Sequence, residues 1–328
     1  MNSFDALLVV SFGGPEKRED VLPFLENVLR GKNVPRERML EVAEHYYHFD
    51  GRSPINDQNR RLIAAVEQEF KSQALKVPVY WGNRNWHPLL PDTLKQMHAD
   101  GVRNAAVLAT SAFGSYSGCR QYRENIASAQ AAADVQEMVI KKLPNFWHRE
   151  EFKTAMTDRV RAAMAQLPDA EQLVFTAHSV PLGMAEGSPY VRQLKEAGAR
   201  VATACGMKDW TLVYQSRSGP PTQPWLAPDI CDHLRAQHAA GMRSLIVCPL
   251  GFMSDHMEVL YDLDTEAREL CDEIGLKMVR AGTAGSHPKL VSMICDMVLH
   301  AQTSSVLEHC EPGCCPAPQR PAVRASNG

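Results

Sequence analysis

The sequence SLIVCPLGFMSDHMEVLYDLDTE occupies residues Ser244–Glu266 and joins the end of one structural element to the start of another. An apolar run of strand length breaks at Gly251, and a segment with helical character follows it. On a regular helix of about 3.6 residues per turn, Glu258, Asp262 and Glu266 lie along one face. A buried strand that leads directly into a helix is typical of a parallel sheet covered by helices.

The acidic row on this helix requires an explanation. Like charges one turn apart destabilise a helix by about 0.2–0.5 kcal/mol per pair unless cations, protons or water offset the repulsion. A solvated acidic face is the simpler interpretation. However, the row follows a strand, where α/β sheets bind ligands, and its neighbours are Phe252 and Tyr261 rather than lysines. This pattern favours a row of oxygen ligands that passes a divalent cation inward.

Apolar runs of strand length recur along the chain with helical segments between them, which predicts a doubly wound parallel α/β fold. The predicted strands are Ala6–Phe12, Val77–Trp81, Ala105–Ala112, Leu173–Val180, Thr211–Tyr214 and Leu245–Gly251. A chain of 328 residues accommodates two domains of about 150 residues. We predict two Rossmann-like halves, 1–150 and 151–305, linked by a helix after Trp147. A cysteine-containing tail, 306–328, follows, and its last residues are expected to be disordered.

Composition excludes several classes of function. The formal net charge of −3 and the absence of a basic run argue against nucleic-acid binding and favour a small-molecule partner. The N-terminal apolar run lacks a preceding basic region and is too short to span a bilayer, so we expect no transmembrane segment and a cytoplasmic location. The nine cysteines, an odd number, indicate reduced thiols or metal ligands rather than disulfides.

Two glycine-containing turns resemble catalytic motifs without matching them. Gly13-Gly14-Pro15 fits neither GxGxxG nor GxxxxGK(S/T), so a nucleotide site is not expected. The run Gly114–Gly118 is similar to a nucleophile elbow, but its central residue is Tyr116 rather than serine. Serine hydrolase chemistry therefore has no support.

His178 ends the predicted strand Leu173–Val180 at the same sheet edge as Glu258. A lone histidine there is often a hydrogen-bonded structural residue, and this interpretation stays open. If both side chains face one cleft, the histidine–carboxylate pair can accept protons from a weak acid or bind a cation such as Fe(II).

The cysteines divide into two groups. Cys310, Cys314 and Cys315 cluster in the tail segment CEPGCCP, and Cys119 is the only other cysteine in a predicted loop. The remaining five are expected to be small core residues: Cys205, Cys231, Cys248, Cys271 and Cys295. Three clustered thiolates need a fourth ligand to form a zinc or iron–sulfur site, and the spacing alone leaves a reduced, exposed tail as the alternative.

Taken together, these segments resemble ferrochelatases, which insert Fe(II) into a porphyrin during haem synthesis. The resemblance covers residues 4 to about 300 and rests on motifs that match in order and spacing. These motifs are SFGGPE, FDGRSPIN, YWGNRNW, TSAFGSYSGCRQY, FTAHSVP, YQSRSGPPTQPWLAPD and GFMSDHMEVLYDLDTE. The resemblance implies the class II chelatase fold, with a porphyrin cleft between the two halves.

The family resemblance also implies roles for individual residues. His178 matches the active-site histidine and Glu258 its carboxylate partner, while Asp262 and Glu266 match the acidic row that leads metal toward them. The positions that match porphyrin-binding residues are Phe12, Arg30, Tyr46, Ser53 and Tyr122. Phe12 replaces a tyrosine found in relatives, so a tyrosine ligand to iron is not expected from that position.

The SYSGC motif and the cysteine-bearing tail resemble the bacterial ferrochelatases that hold a 2Fe-2S cluster. This similarity implies Cys119, Cys310, Cys314 and Cys315 as ligands. The expected partners are porphyrin and ferrous iron, bound by a monomer, and transient contact with neighbouring enzymes of haem synthesis is left open. Without an apolar insertion near the cleft motifs, coproporphyrin III is favoured over protoporphyrin IX. A cobalt or nickel chelatase and a non-enzymatic tetrapyrrole carrier remain alternatives.

Overall fold

The computed structural model describes residues 4–32, 34–220, 222–303 and 313–317. The strands are β1 Ala6–Ser11, β2 Val79–Asn83, β3 Asn104–Ala109, β4 Val139–Lys142, β5 Gln172–His178, β6 Trp210–Gln215, β7 Ser244–Cys248 and β8 Lys277–Arg280. The helices are α1 Val21–Leu29, α2 Arg36–Tyr47, α3 Ile55–Ser72, α4 Leu90–Ala99, α5 Gln121–Ala133, α6 Glu150–Met164, α7 Leu182–Glu186, α8 Tyr190–Cys205, α9 Ile230–Ala239, α10 Met257–Val259, α11 Ala267–Ile274 and α12 Pro288–Thr303. Two π-helical segments, Tyr116–Arg120 and Leu260–Glu266, and a 3₁₀ turn at Arg18–Asp20 complete the described elements.

The strands form two parallel four-stranded sheets with the orders β2-β1-β3-β4 and β6-β5-β7-β8. This arrangement confirms the predicted fold of two Rossmann-like halves. The six predicted strands are all present, but β4 and β8 were not predicted. Both are four-residue edge strands that carry lysine or arginine and are partly exposed, so they lack the long apolar run that identifies a buried strand.

Both faces of the central strands are buried, as expected for parallel strands covered by helices. In β1, Leu7 and Val9 contribute to the core between the two sheets, whereas Leu8 and Val10 pack with α4 and α5 on the outer face. The helix predicted after Trp147 is α6, whose inner residues join the same central core. The last helix, α12, packs against both α3 and α6, so the C-terminal part of the chain covers the N-terminal sheet as well.

Residues of the N-terminal half contact the segment that follows β7, at the carboxyl end of the C-terminal sheet, where the porphyrin cleft is predicted. Gln58 of α3 exchanges two hydrogen bonds with Asp255, which follows β7: Nε2 donates to Oδ2 at 3.1 Å, and the Asp255 N–H donates to Oε1 at 2.9 Å. Nearby, the rings of His45 and Tyr261 stack with centroids 3.7 Å apart. These contacts hold the N-terminal half against the segment that carries the acidic row.

Candidate active site

His178 is the last residue of β5, and its backbone neighbour fixes the orientation of its ring. The Nδ1–H donates a hydrogen bond of 2.5 Å to the Ser179 carbonyl oxygen, which directs Nε2 toward the cleft. There, Nε2 lies 3.6 Å from Oε2 of Glu258. The two side chains are 33% and 47% exposed, so a ligand in the cleft can reach both of them.

The His178–Glu258 pair changes the protonation of both partners. Burial by itself would lower the pKa of His178, but the charge of Glu258 and a hydrogen bond to it raise that pKa to about 9. Conversely, burial would raise the pKa of Glu258, and the imidazolium of His178 lowers it to about 2. At neutral pH the pair is therefore an imidazolium and a carboxylate, which together hold one transferable proton.

His256 supports Glu258 from the start of the helix. Its Nδ1 accepts a 3.2 Å hydrogen bond from the Glu258 N–H and caps α10. Because burial lowers its pKa, His256 is neutral at pH 7 and can act as this acceptor. No role was predicted for His256, although a histidine just before the first turn of the acidic helix is a visible signal in the sequence.

The acidic row was predicted to lie on a regular α-helix, but it does not. From Leu260 to Glu266 the backbone is π-helical, a wider turn with i→i+5 hydrogen bonds that is found often at functional sites. The prediction of α-helical spacing was therefore wrong for this segment. Residue-level propensity does not distinguish the two kinds of turn, because tertiary contacts decide which backbone groups pair.

Asp262 is the central carboxylate of the row, and the protein holds it directly. Gln215 Nε2 donates to its Oδ2 at 3.2 Å, and the hydroxyl of Ser216 donates to the same oxygen. Burial, followed by the charges of Glu258 and Glu266, raises the pKa of Asp262 to about 7. A solvated acidic face describes Glu266, which is exposed, but it does not describe Asp262.

The opposite wall of the cleft is aromatic and cationic. The guanidinium of Arg84, just after β2, lies 5.6 Å from the ring centroid of Phe12 and 4.7 Å from that of Tyr122. Its Nε donates a 2.6 Å hydrogen bond to Asn125 Oδ1. Phe12 is 37% exposed, which is unusual for a phenylalanine at a strand end. Phe12 and Tyr122 were predicted from the sequence, whereas Arg84 was not among the predicted site residues.

The remaining predicted porphyrin-binding residues are dispersed around this wall. Tyr46 packs edge-on against Phe24, and burial and the charge of Glu258 raise the pKa of its hydroxyl. Ser53 is buried, and its N–H donates to the Pro15 carbonyl oxygen at 2.9 Å. Arg30 is exposed and donates to Asn27 at 2.5 Å. Their contacts with a porphyrin stay predictions.

Three of the four predicted cluster cysteines come together. Cys119 is buried in the π-helical segment Tyr116–Arg120 rather than in a loop. Burial, followed by the neighbouring Cys119 and Cys314, raises the pKa of the Cys315 thiol to about 11. Arg123 Nη2 lies 3.2 Å from Cys314 Sγ. Cys310 and most of the tail lie outside the described residues.

Of the cysteines predicted to be core residues, Cys248, Cys271 and Cys295 are buried, whereas Cys205 and Cys231 are only partly buried. Within the ranges given above, no group of three or more His, Cys, Asp or Glu side chains is arranged as a metal site. The metal-binding roles predicted for His178, Glu258 and the cysteines therefore stay predictions.

Comparison with known sequences identifies the family. The sequence model named Ferrochelatase matches residues 4–302. The chain belongs to the ferrochelatase family. This chain is 54% identical over 299 residues to the ferrochelatase of Rhodopirellula baltica, and the alignment covers 90% of this chain and 85% of that protein.

Other relatives of this ferrochelatase carry a more specific name. The coproporphyrin III ferrochelatase of Streptomyces coelicolor is 46% identical over 362 residues, covering 99% of this chain and 96% of that protein. The coproporphyrin III ferrochelatase of Mycolicibacterium smegmatis is 50% identical over 303 residues, covering 90% and 89%.

Solved chelatase structures share the fold of this ferrochelatase at low sequence identity. SirB from Bacillus subtilis with Fe3+ has a TM-score of 0.54 at 12% identity, covering 92% of this chain and 99% of that one. The sirohydrochlorin chelatase SirB from Bacillus subtilis subspecies spizizenii, in complex with cobalt, gives 0.53 at 14% identity, covering 91% and 95%. None of the helices in the described ranges has the length and apolar character needed to cross a membrane.

Proposed function

We propose that this ferrochelatase inserts Fe(II) into coproporphyrin III and produces coprohaem. The observation that carries the proposal is the His178–Glu258 ion pair at the carboxyl end of a chelatase sheet. Relatives at 46% and 50% identity are named for coproporphyrin III. The halves 1–150 and 151–305 supply the two walls of the cleft, in an enzyme that we propose to be monomeric and cytoplasmic.

The chemistry of metal insertion explains why such a pair is needed. Fe(II) replaces two protons on the pyrrole nitrogens, which are weak acids whose protons lie in the plane of a flat ring. A cleft that bends the ring exposes these protons, and binding energy from the ring edge supplies strain of about 1–5 kcal/mol. A base must then accept the protons within hydrogen-bond reach.

His178 and Glu258 suit this task because their protonation is coupled. In the resting enzyme the carboxylate keeps His178 protonated. When Fe(II) approaches Glu258, its positive charge offsets that of the carboxylate, so the pKa of His178 falls and Nε2 passes its proton to water. The freed nitrogen can then accept the two ring protons one after the other, passing the first to water before it takes the second. Metal arrival thereby prepares the base.

Asp262 is the next group in the acidic row that can carry protons or metal between the His178–Glu258 pair and solvent. With a pKa of about 7, it exchanges a proton readily near neutral pH, and Gln215 and Ser216 hold it in place. Exposed Glu266 lies beyond it at the surface. The row therefore connects the pair to solvent, as the family resemblance implies.

The aromatic wall positions the porphyrin in this proposal. Phe12 and Tyr122 offer ring faces, and Arg84 between them offers a cation to a propionate carboxylate. Phe12 has no donor oxygen, so iron is bound from the side of His178 and Glu258. Arg30, Tyr46 and Ser53 complete the proposed propionate contacts.

We further propose that Cys119, Cys310, Cys314 and Cys315 hold a 2Fe-2S cluster. The fit rests on the proximity of Cys119, Cys314 and Cys315, and on a guanidinium beside Cys314, which stabilises a thiolate. When bound, such a cluster supplies one-electron chemistry. Purified protein should show cluster absorbance in the visible range that Cys119→Ser abolishes and Cys295→Ser retains. Colourless, iron-free protein from anaerobic purification would reject the cluster.

The decisive experiment is anaerobic Fe(II) insertion by the purified protein, with coproporphyrin III and protoporphyrin IX offered in parallel and followed by absorbance. Faster turnover of coproporphyrin III is the expected result. Faster turnover of protoporphyrin IX would make the enzyme a direct producer of protohaem. Insertion of Co(II) or Ni(II) alone would indicate another chelatase. Tight porphyrin binding without insertion of any metal would indicate a carrier.

A further inference from the structure

An arginine outside the cleft contacts both ends of the segment that carries the metal-side residues. Arg280, at the end of edge strand β8, donates from Nε and Nη2 to the two carboxylate oxygens of Asp264 at 2.6 and 2.7 Å. Its Nη1 donates to Oδ1 of Asp255 at 2.9 Å. Its side chain is only 15% exposed, so water screens these ion pairs weakly.

The two carboxylates that Arg280 joins bracket the candidate catalytic residues. Asp255 lies in the turn before His256 and Glu258, and Asp264 lies in the π-helical segment just after Asp262. The planar guanidinium therefore fixes the distance between the turn and the π-helical segment. Arg280 binds both oxygens of Asp264 and directs a third N–H to Asp255. Lysine cannot replace it in this geometry, because the lysine ammonium has no rigid planar fork.

The same turn is also attached to the other half of the molecule. Oδ2 of Asp255 accepts from Gln58 of α3, while Oδ1 accepts from Arg280. One carboxylate thus connects β8, the N-terminal half and the start of the acidic helix. A shift of Asp255 would move the His256 cap and, with it, the backbone N–H of Glu258.

We propose that Arg280 is a positioning residue for metal insertion, which sets the place of Glu258 and Asp262 through its bridge between Asp255 and Asp264. This inference rests on the proposed function. Positioning errors of about 1 Å can reduce turnover by roughly a hundredfold. Because the segment can relax only partly when the Arg280 bridge is removed, we expect its loss to reduce kcat by about tenfold.

The test compares Arg280→Gln with wild type in anaerobic Fe(II) insertion, with porphyrin affinity measured separately by fluorescence quenching. We expect kcat to fall about tenfold while the porphyrin Kd stays within about twofold, since Arg280 lies behind the metal side. The kcat of Arg280→Lys should exceed that of Arg280→Gln by less than about threefold, because lysine cannot make the forked bridge. Arg192→Gln, which removes an exposed helix-surface ion pair with Glu196, is the matched control and should leave kcat unchanged.

A combined variant separates positioning from a general loss of structure. If Arg280 acts through Glu258 and Asp262, adding Arg280→Gln to the double variant Glu258→Gln/Asp262→Asn should reduce kcat by less than about twofold further. An equal fold loss in both backgrounds, an unchanged kcat in Arg280→Gln, or complete rescue by lysine would overturn the inference. If Arg280→Gln does not fold, Asp264→Asn removes the bidentate bond instead, and the same changes in kcat and porphyrin Kd are expected. Absence of insertion by wild type would instead reject the proposed function.

Discussion

The two sheets have the same strand order, yet different chemistry occupies their corresponding ends. Ser11 ends β1 opposite Asn83, and His178 ends β5 opposite Gln215, so these positions are structurally equivalent. Beside Ser11 the wall carries aromatic rings and a guanidinium, whereas beside His178 it carries an imidazole and carboxylates. The shared topology determines where a ligand meets the protein, and the side chains divide the work between the walls.

The electrostatics of the walls differ accordingly. On the C-terminal wall, His178 and Glu258 shift the pKa values of each other, and the charge of Glu258 raises the pKa of Asp262. On the N-terminal wall, Arg84 is held by the neutral amide of Asn125 and lies against aromatic rings. We therefore expect variants of the first wall to change turnover and variants of the second to change affinity.

The largest effect is expected from Glu258→Gln, which keeps the shape of the side chain but removes its charge. Loss of the proposed base partner and metal ligand should reduce kcat for Fe(II) insertion by about 100-fold or more, with porphyrin affinity within about twofold. Steady-state insertion assays and fluorescence titration measure the two quantities. Glu196→Gln, on the exposed face of α8, is the control. A kcat within a few-fold of wild type would remove Glu258 from the chemistry.

Arg84→Leu should produce the opposite pattern. Loss of the proposed charged hydrogen bond to a propionate should weaken porphyrin binding by roughly tenfold, or about 1.4 kcal/mol, while kcat at saturating porphyrin changes by less than about twofold. The affinity should be compared with that of Arg192→Leu, a surface arginine. A fall in kcat as large as the fall in affinity would show that the division between the walls is wrong.

Asp262→Asn should have a moderate effect on rate and a pH-dependent effect on stability. Because its folded-state pKa of about 7 lies above the ordinary value of 3.8, the folded protein binds the extra proton, and ionisation destabilises it as pH rises from about 4 to about 7. Asparagine removes this penalty. The Tm of the variant minus that of wild type should be near zero at about pH 4 and rise by a few degrees toward pH 8.

The control for this comparison is Asp232→Asn, since Asp232 is 75% exposed on α9. Its Tm difference should be flat across the same pH range. Turnover of Asp262→Asn at neutral pH should fall by about threefold to tenfold, because one proton acceptor of the row is lost. An Asp262→Asn curve parallel to the control would indicate an ordinary carboxylate.

The smallest effect concerns His178 alone and is seen by NMR titration of labelled histidine. In wild type, His178 should titrate near pH 9, and in Glu258→Gln its pKa should be clearly lower, because burial then acts without the largest opposing charge. The raised pKa contributes stability that is present below about pH 6.5 and is lost as pH rises through about 9. The contribution should be small, since Glu258 is 47% exposed and solvent screens the pair.

A titration midpoint that is the same in both proteins would show that the pair is not coupled. His233, whose pKa burial lowers and whose Nε2 lies 2.9 Å from Gln172 Oε1, provides an internal reference in each spectrum.

The sequence by itself indicated the fold class and the two residues proposed as the central pair of the site. Apolar runs such as that of β1 have no polar face, which only a parallel sheet covered on both sides accommodates. Because the carboxyl ends of such strands bind ligands, the ends of β5 and β7 already indicated His178 and Glu258. These inferences depend on local pattern, which the order of residues records directly.

Only the tertiary structure decided the π-helical turn, the place of Arg84 between two rings, and the bridge made by Arg280. Gln58 and Asp255 are 197 residues apart in the chain, and Arg123 and Cys314 are 191 apart. Spacing contains no information about such contacts, because they form when the two halves pack and polar groups must find partners away from water. The sequence thus indicated which polar side chains to consider, and packing determined the distances between them and their protonation states.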